Sequence, residues 1–280
     1  MSKSPLKWVG GKNKLLPQMM YAVPKDYTKY IELFAGGASL FFHLKPKNAT
    51  LCDINPELIN FYTALRDDPS GLIEEIKELT VSAEDYERIR AWDRQADFKN
   101  LAPVKRASRF YYLNKTCFNG IHRVNSKGQF NVPFGNKKGN ILDEVTLKEC
   151  SKILQVAELR CCNFDDIVDD LDAQTFMYVD PPYFPLNVTS SFTSYTKEDF
   201  TTNDQIKLKC ILFYAHSAGT KWMLSNSRTE FILTLYEDYV INTINAPRSI
   251  NSDGDKRQCV KEVLITNYKV VNPVYDLWGQ

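Results

Sequence analysis

Four consecutive residues, Asp180-Pro181-Pro182-Tyr183, follow the apolar run Phe176-Met177-Tyr178-Val179. An apolar run of that length reads as a buried strand, and open α/β sheets hold ligands at the carboxyl ends of their strands. An amine attached to a ring such as adenine is a poor nucleophile, because its lone pair is delocalised. Hydrogen bonds from its N–H groups to a carboxylate and a carbonyl favour a pyramidal, more nucleophilic nitrogen. Asp180 supplies the carboxylate. Pro181 and Pro182 have fixed φ and no N–H, so they hold a stiff turn whose carbonyls stay free to accept; the Pro181 carbonyl is the natural second acceptor. Tyr183 offers an aromatic face, and stacking there offsets part of the cost of extruding a base from a duplex. The same four residues also fit a strand end with a proline stop and a buried tyrosine.

A second constellation lies nearer the start. Phe34-Ala35-Gly36-Gly37-Ala38 follows the apolar residues 29–34, and glycines after a first strand let backbone approach a cofactor closely. The G-x-G-x-x-G spacing is absent. A second apolar run, residues 49–54, carries Asp53 at its end, where a carboxylate can accept both hydroxyls of a ribose. Together these features point to a cofactor that bears a nucleoside.

Other chemistries find little support. Gly10-Gly11-Lys12-Asn13-Lys14 lacks the phosphate-loop spacing, and His43, His122 and His216 form no triad, so none is assigned as a base. The seven cysteines show no metal-type spacing and no disulfide framework; they read as small buried hydrophobes, and no metal is expected.

The elements that must position these residues follow from the hydrophobic pattern. The 280 residues, 44% apolar and 25% charged, suffice for one sizeable core with a smaller insert. No apolar run is long enough to span a bilayer and the first residues lack a secretory signal, so the expected location is the cytoplasm. Strand, tight turn and helix are expected over residues 29–44, then a strand at 49–54 and a helix opened by Asn55-Pro56 and running to about residue 66. The pattern turns helical and polar from about residue 70 to 114 and then rich in Gly, Asn and Lys up to 140. Strands return near 158–162, 176–180 and 220–226, with a helix near 203–218. Two β-rich runs, 239–246 and 260–268, close the chain as an antiparallel hairpin. The polar loop that joins them, 247–258, fits either a segment that closes over a ligand or an exposed hairpin tip.

Net charge is only +1, but its distribution is uneven. Residues 98–142 contain no Asp or Glu, yet hold Lys99, Lys105, Arg106, Arg109, Lys115, Arg123, Lys127, Lys137 and Lys138. Such a local field suits a polyanion.

With these residues in view, the chain resembles the bacterial and phage Dam-type DNA adenine methylases of the α group. The shared order is cofactor motif, recognition insert, then Asp-Pro-Pro-Tyr. The resemblance covers nearly the whole length: Lys7-Trp8-Val9-Gly10-Gly11-Lys12, Phe34-Ala35-Gly36-Gly37, Asp53-Ile54-Asn55, Phe118-Asn119-Gly120 with Arg123 and Asn125, Phe130 to Gly135, Asp180 to Tyr183, and Phe192-Thr193-Ser194-Tyr195. It departs at Asn136, where related sequences often carry Arg.

The resemblance implies a Rossmann-like α/β fold, with a mostly parallel sheet ending in an antiparallel hairpin and an inserted helical and hairpin domain for target recognition. Residues 1–55 and 145–280 would form the catalytic domain, and 56–144 the insert. It implies methyl transfer from S-adenosylmethionine to N6 of adenine in double-stranded DNA, most often within GATC; the protein is expected to be monomeric or weakly associating. Trp8, Lys12, Asp53 and Asp180 would border the cofactor beside the loop of Phe34, Ala35, Gly36 and Gly37, with Phe164 against its adenine. Arg123 would read guanine, Phe118 would wedge into the stack, and Asn119 would touch the strand backbone. Lys7 would reach another base and Pro133 a thymine methyl, with Asn125, Lys137 and Lys138 also on the DNA face. Amino-methylation of RNA adenine or of cytosine N4, and an inactive DNA-binding protein on the same scaffold, remain alternatives.

Overall fold

The computed structural model describes residues 3–186, 200–246 and 260–270. The segment Phe192 to Tyr195 and the 247–258 loop singled out above lie outside the described residues. Short runs of five to seven residues form the strands: β1 Lys29–Leu33, β2 Ala49–Asp53, β3 Ala157–Cys161, β4 Thr175–Val179, β5 Lys221–Ser227, β6 Val240–Ala246 and β7 Val260–Thr266. They make one sheet in the order β3-β2-β1-β4-β5-β7-β6. The first five are parallel, and β7 runs antiparallel between β5 and β6. This is the mostly parallel α/β sheet with a terminal antiparallel pair that the sequence pattern led us to expect.

The helices are α1 Leu16–Met19, α2 Ser39–Leu44, α3 Pro56–Asp67, α4 Pro69–Lys77, α5 Ala83–Arg90, α6 Pro103–Thr116, α7 Glu144–Leu154, α8 Thr202–Ser217 and α9 Glu230–Leu235. Local chemistry sets their starts. At α3, Pro56 occupies the first turn and the Asn55 side chain accepts from the Glu57 and Leu58 N–H groups. At α8, Thr201 and Asp204 cap reciprocally.

Strand side chains alternate between faces, so the sheet divides the core in two. On one face Tyr30, Leu51, Phe176 and Tyr178 pack with Leu58, Phe61, Tyr62 and Leu65 of α3. On the other, Ile31, Leu33, Met177, Val179 and Leu224 pack with Leu208, Leu212 and Ala215 of α8. Every residue of β4 is buried, as expected for a central strand covered on both faces.

Residues 56–77 of the expected insert span pack into the sheet's first core, through α3 and through Leu72, Ile73 and Ile76 of α4. A separate small core collects Tyr86, Ile89, Tyr112, Leu113, Cys117, Phe130 and Val132. Helix α6 joins the two, with Ala107, Phe110 and Tyr111 in the sheet core and Tyr112 and Leu113 in the small one.

Two expectations need correction. Cys52, Cys117 and Cys150 are buried, but Cys161 and Cys210 are exposed, because one ends the edge strand β3 and the other faces outward from α8. The basic window is also not a uniform outward field. Arg109 is buried in an ion pair with Asp93 (2.7 Å), and it donates to the Ile89 and Arg90 carbonyls, while Arg106 faces Glu57. Acids from outside the window fold back onto it.

Candidate active site and nucleic-acid interface

The strand order reverses between β1 and β4, and ligands in open α/β sheets sit in the crevice at such a switch point. The loops that leave the carboxyl ends of these two strands carry the glycine motif and Asp180. The pairing of Leu33 with Val179 brings the two loops side by side.

Asp180 is partly exposed and firmly held. Its Oδ2 accepts from Lys12 Nζ (2.7 Å) and its Oδ1 from Ser225 Oγ (2.7 Å). Lys12 is buried, also donates to the Gly10 carbonyl (2.7 Å), and lies 4.8 Å from the centre of the Tyr183 ring. Ser225 in turn meets the buried Tyr178 hydroxyl at 2.9 Å. The diproline turn is clamped on both sides. Gln205 Nε2 donates to the Pro182 carbonyl (3.0 Å), and Asn226 Oδ1 and Ser227 Oγ bind the Phe184 N–H and carbonyl (3.1 and 2.6 Å). Burial drives the Tyr183 hydroxyl well above its usual pKa, and it donates to Glu262 Oε2 (2.8 Å).

Asp53 ends β2. Its Oδ2 accepts from the Gly36 N–H and its Oδ1 from the Asn55 N–H, both at 2.9 Å. Burial raises its carboxyl pKa against the pull of these backbone donors. A carboxylate oxygen has two lone pairs, so each keeps one free. That donor-poor, acceptor-rich edge fits the vicinal hydroxyls of a ribose.

Trp8 fills the space over the glycine pair: a Cβ on Gly36 would lie 2.4 Å from Trp8 Nε1, and one on Gly37 would lie 2.9 Å from Trp8 Cβ. The close approach these glycines permit is therefore to an indole. Phe34 and Ala38 join Gly36 at positive φ, so the loop turns tightly enough to offer its N–H to Asp53. Phe34, Phe164 and Phe200 form a closed aromatic triangle, with centroids 5.5 to 5.7 Å apart.

The indole of Trp8 also stacks on His122 (5.9 Å) and Phe110 (6.5 Å), linking the glycine loop to the 56–144 span. Burial pushes the His122 pKa down to about 4, so the imidazole is neutral at pH 7. Next to it, the exposed Arg123 donates through Nε to Asn131 Oδ1 (2.8 Å). Asn125 is spent within the hairpin, where its Oδ1 accepts the Lys127 and Gln129 N–H groups (3.0 Å each).

The turn Phe118–Gly120 projects an exposed Phe118 and an exposed Asn119 with φ 56°. The Phe118 N–H is tied to the carbonyl of the exposed Pro133 (2.9 Å). Lys7 is exposed yet pinned to this turn: its N–H and carbonyl both bond Asn114 (2.9 and 2.6 Å), and its side chain lies against Gly120. Partial burial and then the nearby Lys137 lower its pKa, so Lys7 and Lys137 share one electrostatic neighbourhood. Lys138 is also exposed. The fold thus gathers Lys7, Phe118, Asn119, Pro133 and Lys137, while Asn125 turns inward.

Sequence reasoning missed Ser225, Glu262, Gln205 and Asn226. A signal existed for part of this set: Ser225-Asn226-Ser227 is a polar run at the end of an apolar strand, and all three residues are buried. Among the described residues no cluster of His, Cys, Asp or Glu could hold a metal ion, and no helix is long and apolar enough to cross a membrane.

Comparison with known proteins shows the family. The model of the D12 class of N6 adenine-specific DNA methyltransferases matches residues 8–250. The chain is 42% identical to the type II methyltransferase M.MjaIII of Methanocaldococcus jannaschii, covering 94% of this chain and 98% of that protein. It is 39% identical to the type II methyltransferase M1.LlaDCHI of Lactococcus lactis subsp. cremoris (94% of each) and 32% identical to the DNA adenine methylase of Escherichia coli K12 (96% of each). The RNA, cytosine and inactive-scaffold alternatives give way to these matches. The chain is an adenine-specific DNA methyltransferase, and it belongs to the D12 class.

Proposed function

We propose that the protein methylates N6 of an adenine extruded from a GATC duplex, and that the Asp180 to Tyr183 turn receives that base. The observation that carries this reading is the anchored, partly exposed Asp180 at the switch point, with the Tyr183 ring beside it. Lys12 and Ser225 each use one lone pair of an Asp180 oxygen and hold the carboxylate still. A second lone pair on each oxygen is left for the adenine N6–H. The Pro181 carbonyl accepts the other N6–H, and the two bonds together draw the nitrogen out of conjugation. Lys12 offsets the negative charge that would otherwise be stranded in a half-buried pocket.

S-adenosylmethionine, when bound, supplies an electrophilic methyl group on its sulfonium. For its ribose we assign Asp53, and for its adenine the aromatic wall of Phe34 and Phe164, while Trp8 and Lys12 complete the border with Ala35, Gly36 and Gly37. We assign residues 1–55 and 145–280 to this site and the 56–144 span to recognition, with its first part, 56–77, also completing the sheet core. GATC rests on the likeness of the Lys7, Phe118 to Arg123 and Phe130 to Gly135 motifs to the Dam-type pattern. Arg123 is the guanine reader, with Lys7, Phe118, Asn119, Pro133, Lys137 and Lys138 along the same face. Asn125 acts through the shape of its hairpin.

The test is transfer of labelled methyl into duplexes with and without GATC, followed by nucleoside analysis. N6-methyladenine confined to GATC is expected. Asp180→Ala should abolish transfer while duplex binding persists. Equal labelling of all duplexes removes the GATC reading, and unimpaired turnover of Asp180→Ala removes the assigned role.

A further inference from the structure

Glu262 is a carboxylate of β7, just before the apolar run Val263-Leu264-Ile265, and it faces Ser227 of β5 and Ile244 of β6 in register. Its backbone is therefore held from both sides. Burial raises its pKa, and an acid in that position is unfavourable unless it is paired. Among the described residues the one hydrogen-bond partner of its carboxylate is the Tyr183 hydroxyl at 2.8 Å, and Lys12 is the cation that favours its charged form. Both partners belong to the site described above. A strand position that served packing alone would be better filled by Leu or Val.

The clamps from Gln205, Asn226 and Ser227 fix the backbone on either side of Tyr183. They leave its ring free to turn about the side-chain torsions. Contacts that limit that turning include the Lys12 ammonium, 4.8 Å from the ring centre, the hydroxyl bond to Glu262 and the neighbouring Ser225 hydroxyl. The bond to Glu262 is directional and holds the far end of the ring.

We propose that Glu262 is a positioning residue for methyl transfer: by accepting from the Tyr183 hydroxyl it sets the plane in which the ring meets the target base. The proposal rests on the reading of Tyr183 as the stacking platform. Glu262 need not touch the base or the cofactor.

The test is single-turnover transfer from labelled S-adenosylmethionine to duplex DNA by Glu262→Ala, Glu262→Gln, Tyr183→Phe and the Tyr183→Phe/Glu262→Ala double variant. Cofactor and duplex affinities are measured alongside. Glu262→Ala and Tyr183→Phe should each slow transfer by roughly tenfold with affinities changed less than about threefold, since only the orientation of a bound base is lost. The double variant should be no slower than either single one, because both remove the same bond. Glu262→Gln keeps an acceptor oxygen and should recover most of the rate.

Full activity of Glu262→Ala, multiplicative losses in the double variant, or a Glu262→Gln as slow as Glu262→Ala would each overturn the proposal. Should Glu262→Ala fail to fold, the pair Tyr183→Phe and Glu262→Gln still decides: a wild-type rate in the first or a full loss in the second refutes it. Tyr183→Ala separates the two layers. If it transfers at the wild-type rate, the platform reading fails; if it is slow while Glu262→Ala is fast, only the role of Glu262 fails.

Discussion

Replacing Asp53 by Asn exchanges one oxygen for an NH2 group, and the structure gives both oxygens a partner. Oδ2 accepts from Gly36 and Oδ1 from Asn55, each at 2.9 Å. An amide has one acceptor atom, so in either orientation one backbone N–H faces a second donor. An unmatched buried donor costs about 1–3 kcal/mol, and at about 2–4 °C per kcal/mol this lowers Tm by several degrees. One term opposes it. Burial raises the Asp53 pKa, so ionising this carboxyl in the fold carries a penalty that a neutral amide avoids, and the fall should lie towards the small end. Cofactor affinity decides more sharply. Losing a charge-assisted bond to a ribose hydroxyl is worth about 1.5–3 kcal/mol, or roughly 10- to 150-fold in Kd. The assay is calorimetric titration of S-adenosylmethionine and of an analogue with hydrogens in place of its ribose hydroxyls. The wild type should discriminate strongly between the two, and Asp53→Asn should hardly discriminate. If the wild type binds both alike, Asp53 is only a strut for the Gly36 loop and the ribose assignment is wrong.

Glu32 supports a prediction of pH dependence. It is fully buried in β1, accepts from Tyr30 Oη (2.7 Å) and the Phe41 N–H (3.0 Å), and burial pushes its pKa from 4.5 up to about 8. The folded state thus keeps a proton that the unfolded chain releases near pH 4.5. Stability from this group is fully present below pH 4.5 and is lost as pH rises towards 8, at about 1.4 kcal/mol per unit. Glu32→Gln retains an acceptor without a titrating proton, so its denaturation midpoint should decline less than the wild type's between pH 5 and 8; parallel curves would refute the burial argument. Arg123→Ala should lower discrimination at one guanine by about 1–3 kcal/mol, read as relative transfer to duplexes substituted at that base. A uniform loss across all sequences, with a shallower salt dependence, would make it a phosphate contact.

Much of the scaffold was legible because it depends on local chemistry. The order of strands and helices follows from apolar period, proline and glycine placement and caps such as Asn55-Pro56, all of which act over a few residues. The same holds for the rigid Asp180-Pro181-Pro182-Tyr183 turn, whose stiffness is written in its two prolines. What the sequence could not decide is which distant segments meet. The placement of β4 beside β1 makes the switch point, and it is set by the pairing of Tyr30 with Phe176, whose positions lie far apart in the chain. The Lys12–Asp180 pair, the Ser225 anchor and the Glu262 bond exist only because that sheet closes. Arg109, counted in the sequence as one of a row of cations, is a buried structural residue because Asp93 folds onto it. Residue type and spacing define what a side chain can do; long-range register decides which partner it has, and through burial and charge that partner decides what it does.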